Sequence, residues 1–82
     1  MTEQSTQQRI DALMAQRFQQ AVEAYRQTDN PTWTRMWDGC AEMARQAAGL
    51  ADEIGDAEQA ASLRRTADDN TSKADVFRDK PN

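Results

Sequence analysis

The feature that most constrains this chain is a proline that separates two amphipathic stretches. Pro31 follows Asn30, and the residue before a proline is pushed out of the α-helical region of backbone space. A helix that arrives from the N-terminal side therefore ends here. Proline is also favoured in the first turn of a helix, so Asp29 or Asn30 can cap a new one. The sequence predicts two helices joined by a tight turn at residues 28–31.

The stretch before the proline repeats its apolar residues at spacings of three and four. These residues are Ile10, Leu13, Met14, Phe18, Ala21, Val22 and Tyr25. Such spacing is typical of an amphipathic helix, and the opposite face is rich in Gln and Arg. We predict a first helix over about residues 6–28, preceded by a frayed N-terminus at residues 1–5.

The stretch after the proline keeps apolar and polar residues on separate sides of a helix. The apolar positions are Trp33, Met36, Trp37, Cys40, Met43, Ala44, Ala47, Leu50, Ala51 and Ile54. The polar positions are Arg35, Asp38, Glu42, Arg45, Gln46, Asp52 and Glu53. Because this phase is unbroken across Gly39, no turn is expected there. We predict a second helix over about residues 31–54.

The last third of the sequence predicts one more helix and a tail. Gly55 followed by Asp56 indicates a helix end and then a new N-terminal cap. A shorter third helix is expected over residues 57–68, with Ala60, Leu63 and Ala67 inward. The stretch DDNTSKAD is turn-like in composition. We expect residues 69–82 to form a flexible C-terminal tail after a helical domain at residues 6–68. Val76 and Phe77 in this stretch are either part of a frayed tail or a short docking segment.

The predicted fold is all-α: an antiparallel two-helix hairpin plus a shorter third helix. Only nine residues are Leu, Ile, Val or Phe, and chains this small often gain core by oligomerising. We therefore expect a helical-bundle homodimer. The residues predicted at a self or partner interface are Phe18, Tyr25, Trp33, Met36, Trp37, Cys40, Met43, Leu50 and Ile54. The alternative is that the tryptophans are core residues of the single chain.

The residue inventory argues against catalysis. The chain contains no His and one Cys, which removes Ser-His-Asp triads, Cys-His dyads and zinc sites built from His or several Cys. A reactive thiolate needs a positive group nearby, and the Arg residues nearest to Cys40 in sequence, Arg35 and Arg45, lie on the other helix face. We expect no enzyme, no cofactor, no metal and no catalytic residue.

The expected location is the cytoplasm. No apolar run approaches the 18 residues or so of a membrane span, and the N-terminus lacks the basic and apolar regions of a signal peptide. A single Cys also excludes an intrachain disulfide framework and favours a reducing compartment. We therefore expect no membrane association.

Charge guides the choice of partner. Residues 37–63 carry six acidic residues against one basic residue, whereas a DNA-binding protein presents a basic stripe. Double-stranded DNA is not expected, and a protein target is. The predicted partner face is Arg35, Asp38, Glu42, Arg45, Asp52 and Glu53. The predicted function is a small non-catalytic interaction or regulatory protein, an accessory or inhibitor of the kind encoded by phages or plasmids.

Two alternatives remain open. The first is a small dimeric helical RNA-binding modulator that contacts RNA through Arg9, Gln16, Arg17 and Gln20. The second rests on Trp37-Asp38-Gly39, which resembles the W-x-G signature of type VII secretion substrates. That resemblance implies a helical hairpin that pairs as a dimer, with the motif in the inter-helix turn and a Tyr-x-x-x-acidic signal near the C-terminus. Here the predicted turn is at residues 28–31, and the only tyrosine is Tyr25.

Overall fold

The structure, a computed structural model, describes residues 5–81 and consists of three α-helices. They are α1 (Thr6–Ala24), α2 (Asn30–Glu53) and α3 (Ala57–Asp75), and no strand occurs in this range. The predicted all-α class is confirmed. The N-terminal segment predicted to fray lies outside the described residues, except for Ser5.

Each helix begins at a side-chain cap. Ser5 Oγ accepts a hydrogen bond from the Gln8 amide at 3.1 Å, and Gln8 Oε1 accepts one from the Ser5 amide at 2.8 Å. This reciprocal pair is a capping box. Asp29 and Asp56 accept from the backbone three residues further on. The helix starts therefore follow from short polar side chains that the sequence places there.

The first helix ends earlier than predicted. It stops at Ala24 rather than near residue 28. The amides of Arg26 and Gln27 bond to carbonyls three residues back, at 3.1 Å each, so the last turn tightens and the α-helical pattern is lost. Residues 25–29 form the connection, and the second helix agrees with its predicted bounds to within one residue.

The third helix is longer than predicted, because it includes residues 69–75, which the sequence placed in a tail. α3 continues to Asp75 because Asn70 and Ala74 extend the buried face begun by Leu63 and Ala67. Its last carbonyls are satisfied by side chains of α2. Trp33 Nε1 donates to the Lys73 carbonyl at 2.8 Å, and Thr34 Oγ1 donates to that of Ala74 at 3.3 Å.

The segment after α3 also packs against α2. The guanidinium of Arg78 donates to both carboxylate oxygens of Asp38, at 3.0 and 2.7 Å. The Phe77 ring lies edge-on to Trp33, with 5.6 Å between ring centroids. A paired charge and an aromatic contact therefore hold the stretch that its composition marked as a tail.

The core consists of two clusters along α2. One contains Ile10 and Leu63 together with alanines of α2 and α3, and the other contains Trp37 and Cys40. Most buried positions are alanines, namely Ala21, Ala24, Ala41, Ala44, Ala47, Ala48, Ala51, Ala60, Ala67 and Ala74. Small side chains let α1 and α3 lie close to α2 on its two flanks.

Candidate protein-interaction surfaces

The nine residues predicted at an interface do not share one surface. Trp37 and Cys40 are 1% and 0% exposed within the single chain. Since a buried side chain cannot touch a partner, we correct these two from interface to core. The half-buried members are Trp33, Met36, Met43 and Leu50. The exposed members are Phe18, Tyr25 and Ile54.

The tryptophans belong to an aromatic cluster that joins the ends of the helices. Trp33 and Trp37 lie 5.7 Å apart between centroids, and Tyr25 lies edge-on to Trp37 at 4.9 Å. Phe77 reaches Trp33 from beyond α3. Edge-to-face pairs of this kind add stability beyond the area that they bury. The sequence left open whether Phe77 belongs to a frayed tail or to a short docking segment, and its contact with Trp33 agrees with the second.

A cation and an unpaired indole nitrogen border this cluster. Lys73 Nζ lies 5.3 Å from the Trp37 ring centroid, within the range of a cation–π contact. Trp37 Nε1 is buried and has no hydrogen-bond partner among the described residues. Trp33 Nε1, by contrast, is satisfied by α3. The face of α2 predicted to bind a partner therefore packs within the chain.

A line of exposed residues runs along α1 and continues to Tyr25, the residue that follows the helix and that also packs edge-on against Trp37. Phe18 and Tyr25 are each 62% exposed and Val22 is 39% exposed. Asp11 and Ala15 continue the same line toward the N-terminus and are also exposed. Successive members are four or three residues apart, so they share one side of the helix. We call Asp11, Ala15, Phe18, Val22 and Tyr25 the α1 seam.

Half of the polar face predicted on α2 is bound to α3 and the segment after it, and the other half is not. Asp38 binds Arg78, Asp52 binds Arg64, and Arg45 donates to Thr71 Oγ1 at 2.7 Å. The hydrogen bond from Arg78 lowers the pKa of Asp38, although desolvation opposes it.

These three α2 side chains hold α3 in place. The remaining members, Arg35, Glu42 and Glu53, are exposed. At Asp38, Arg45 and Asp52, a partner protein would therefore compete with contacts that the chain already makes.

The predicted RNA contacts are divided in the same way. Arg17 Nη1 donates to the buried Asn70 side chain at 3.2 Å, and Gln20 Nε2 donates to the Met36 carbonyl at 2.8 Å. Arg9 and Gln16 are exposed. Two of the four residues therefore connect α1 to its neighbouring helices rather than facing solvent.

A second candidate surface is a shallow groove between α1 and α2. Its lining residues are Arg9, Ala12, Leu13, Gln46, Gly49, Leu50 and Glu53. Leu13 and Leu50 are half-buried against the core, and the space beside Gly49 is open. The apolar floor of this groove is therefore partly covered by the chain itself.

Cys40 is placed as a structural thiol. Its Sγ donates to the Arg17 carbonyl at 3.7 Å. Burial raises the pKa of the thiol, and the nearby Arg17 charge only partly opposes this. Within residues 5–81, no three His, Cys, Asp or Glu side chains converge as metal ligands. None of the helices in that range is both long and apolar enough to cross a membrane.

Comparison with known proteins gives no relative: no family model, no curated protein and no solved structure matches this chain. The W-x-G triplet lies inside α2, with Trp37 buried and Asp38 bound to Arg78. The inter-helix turn implied by the type VII resemblance falls instead at residues 25–29.

Proposed function

We propose that the chain is a small, non-catalytic protein-interaction protein that acts as a homodimer. The observation that carries the proposal is the exposure of Phe18 and Tyr25, 62% each, on one side of α1. Scattered exposed apolar residues are ordinary on a soluble protein. Aligned aromatic residues at helical spacing are instead typical of contact surfaces between proteins.

The proposed protomer is an antiparallel helical hairpin with α3 packed on it. Gln20, late in α1, donates to Met36, early in α2. Ile10, early in α1, belongs to the same cluster as Ala51, late in α2. Contacts that run in reverse order along two helices support the hairpin arrangement that the sequence predicted.

Self-association suits the composition of the core. Alanine buries little apolar area, and Trp37, Ile10 and Cys40 are the largest fully buried side chains. A chain of this size with such a core gains stability when further apolar surface is removed from water. Covering the α1 seam with protein supplies that surface, whereas leaving it in water does not.

The proposal also includes a target protein that binds the homodimer. Arg35, Glu42 and Glu53 on α2 are exposed, and none of them belongs to the α1 seam. They are the positions through which an accessory or regulatory protein of this kind would meet a target. The RNA-binding alternative stays a prediction. It has less support than protein binding, because Arg17 and Gln20 already donate hydrogen bonds within the chain.

The proposal is tested by the mass of the purified full chain in solution. We expect a dimer of the 9.3 kDa chain by sedimentation velocity, and a shift toward monomer for Phe18→Ser. Ile54→Ser is the matched control, because Ile54 is a 46% exposed apolar residue away from the seam. A wild-type chain that stays monomeric up to about millimolar concentration (weaker than ~4 kcal/mol of association) would refute the proposal.

A further inference from the structure

The spacing and charges of the α1 seam assign its occupant. We propose that a second copy of this chain docks on the seam with its own α1 antiparallel, and that the two Phe18 side chains meet beside the two-fold axis. This inference rests on the proposed function, because it names the partner and register of the surface through which that function acts.

The seam has the repeat of a coiled-coil interface. Asp11, Ala15, Phe18, Val22 and Tyr25 follow one another at intervals of four, three, four and three residues. That alternation keeps a line of side chains facing one neighbouring helix over several turns. A single helix of the same repeat therefore fits the seam, and α1 of a second copy carries that repeat.

A two-fold axis next to Phe18 matches side-chain sizes across the seam. In a symmetric contact each residue meets a defined residue of the other copy, and the relation is reciprocal. With the axis between Phe18 and Gln19, Ala15 lies opposite Val22 of the second copy. The smallest member of the seam thus faces a larger one, and the two phenylalanines lie side by side at the centre.

The charges at the two ends of the seam select the antiparallel direction. Asp11 precedes Phe18 by seven residues, and Arg26 follows it by eight, in the tightened turn just beyond the end of α1. Along a helix these separations are about 10.5 and 12 Å. The two-fold axis therefore places Asp11 opposite Arg26 of the second copy, twice in each interface. A parallel arrangement would place Asp11 opposite Asp11, where like charges repel.

Both charged groups are accessible for this contact. Asp11 is exposed and accepts a hydrogen bond from Gln7 Nε2 at 3.0 Å. Arg26 pairs with Glu23 at 3.2 Å, and these side chains are 70% and 56% exposed. An exposed pair of this kind contributes little to stability. Arg26 can therefore turn toward a second copy at small cost.

The experiment is a charge exchange between two variants of the full chain. Asp11→Arg and Arg26→Asp each turn both ion pairs of the homodimer into repulsions. We expect each homodimer to dissociate about tenfold more readily than wild type at low ionic strength, because each interface holds two exposed pairs.

An equimolar mixture of the two variants restores both attractions. The arginine introduced in one chain then faces the aspartate introduced in the other, and the second pair keeps its native Asp11 and Arg26. We therefore expect the mixture to form a heterodimer of near wild-type affinity.

A matched pair on α3 controls for net charge. Glu58→Arg and Arg65→Asp make the same charge changes at exposed positions outside the seam. We expect neither variant to change the dimer constant. Circular dichroism of each variant checks that the helices are retained.

The outcomes separate this inference from the function on which it rests. A wild-type dimer whose exchange mixture associates no better than the single variants would overturn the register and leave the homodimer standing. The register would also be overturned if the two α3 variants weakened the dimer and their mixture restored it to the same degree as the seam variants do. A wild-type monomer would refute the proposed function itself. A heterodimer formed only by the seam variants supports the antiparallel docking.

Discussion

Arg78 donates two hydrogen bonds to the carboxylate of Asp38, at 3.0 and 2.7 Å, and also donates to Asp75 at 2.6 Å. The guanidinium therefore joins the end of α3 to the first half of α2. The planar fork of Arg matches the two oxygens of a carboxylate. This relationship fixes the segment beyond α3 and makes stability depend on the charge of Asp38.

We predict that the free energy of unfolding falls in acid partly through Asp38. The Arg78 hydrogen bond holds the folded pKa of Asp38 below its ordinary value of 3.8. Stability from such a group is present above the unfolded pKa, about 3.9, and is lost as pH falls through the folded pKa. Urea unfolding between about pH 5 and 2 should give a shallower decline for Asp38→Asn than for wild type. Identical slopes would contradict the assignment.

We predict that Trp37→Ala unfolds the protein or leaves it barely stable. Trp37 is the largest fully buried side chain, and removing a buried aromatic residue costs about 3–5 kcal/mol. Trp37→Phe retains much of the packing and removes the unpartnered indole nitrogen, so its cost should be smaller. Thermal denaturation followed by circular dichroism measures both. Equal melting temperatures for wild type and Trp37→Ala would show that Trp37 is not a core residue.

We predict that substitution by alanine stabilises the protein at one of the two glycines within α2 and not at the other. An added methyl at Gly49 meets nothing within 4 Å, whereas at Gly39 it collides with the side-chain amide of Gln20. Gly49→Ala should stabilise by about 0.5–1 kcal/mol through helix propensity. Gly39→Ala should lose that gain, because Gln20 must give up its hydrogen bond to Met36.

Chemical denaturation of the two glycine variants, with Gln20→Ala and the Gly39→Ala/Gln20→Ala pair, measures the coupling. If the two substitutions at residues 20 and 39 act additively, the predicted collision is absent.

We predict that Phe77→Ala destabilises the fold by about 1–2 kcal/mol. Phe77 is half-buried and its ring lies edge-on to Trp33 at 5.6 Å, a contact worth about 0.5–1.5 kcal/mol beyond its buried area. Val76→Ala is the matched control, because Val76 is adjacent in sequence and 52% exposed. Comparable unfolding midpoints for the two variants would indicate that the segment after α3 does not pack on Trp33.

The sequence was sufficient for the helices that its periodicity and caps define. Asn30 and Pro31 located the start of α2, and Ser5, Asp29 and Asp56 mark the caps. It was insufficient at the end of α3, because the inward positions there are Asn70 and Ala74. A helix face that packs against closely spaced alanines needs no large apolar residue. The polar composition of residues 68–75 therefore resembled that of a turn.

The candidate surface was harder to predict because a helical pattern does not say which neighbour covers each residue. The apolar positions of α1 form one broad stripe in the sequence, yet α2 covers Ile10 and Ala21 and leaves Phe18 and Tyr25 exposed. The opposite occurs on α2, where the aromatic stripe is covered by both neighbours. The position of α3 decides whether the apolar stripe of α1 or that of α2 becomes core. The prediction from the sequence ended α3 too early to show this.

The alanines along α2 restrict the size of the side chains that the core of this protein accepts. In a leucine-rich core most substitutions leave a cavity. Here the side chains at Ala44, Ala47, Ala48 and Ala51 are fully or almost fully buried and have little volume to lose. Almost every substitution adds atoms where the backbones are close, and overpacking forces helices apart. In a library of random variants, survivors should therefore keep small residues along this line and diversify freely on the outer face of α3.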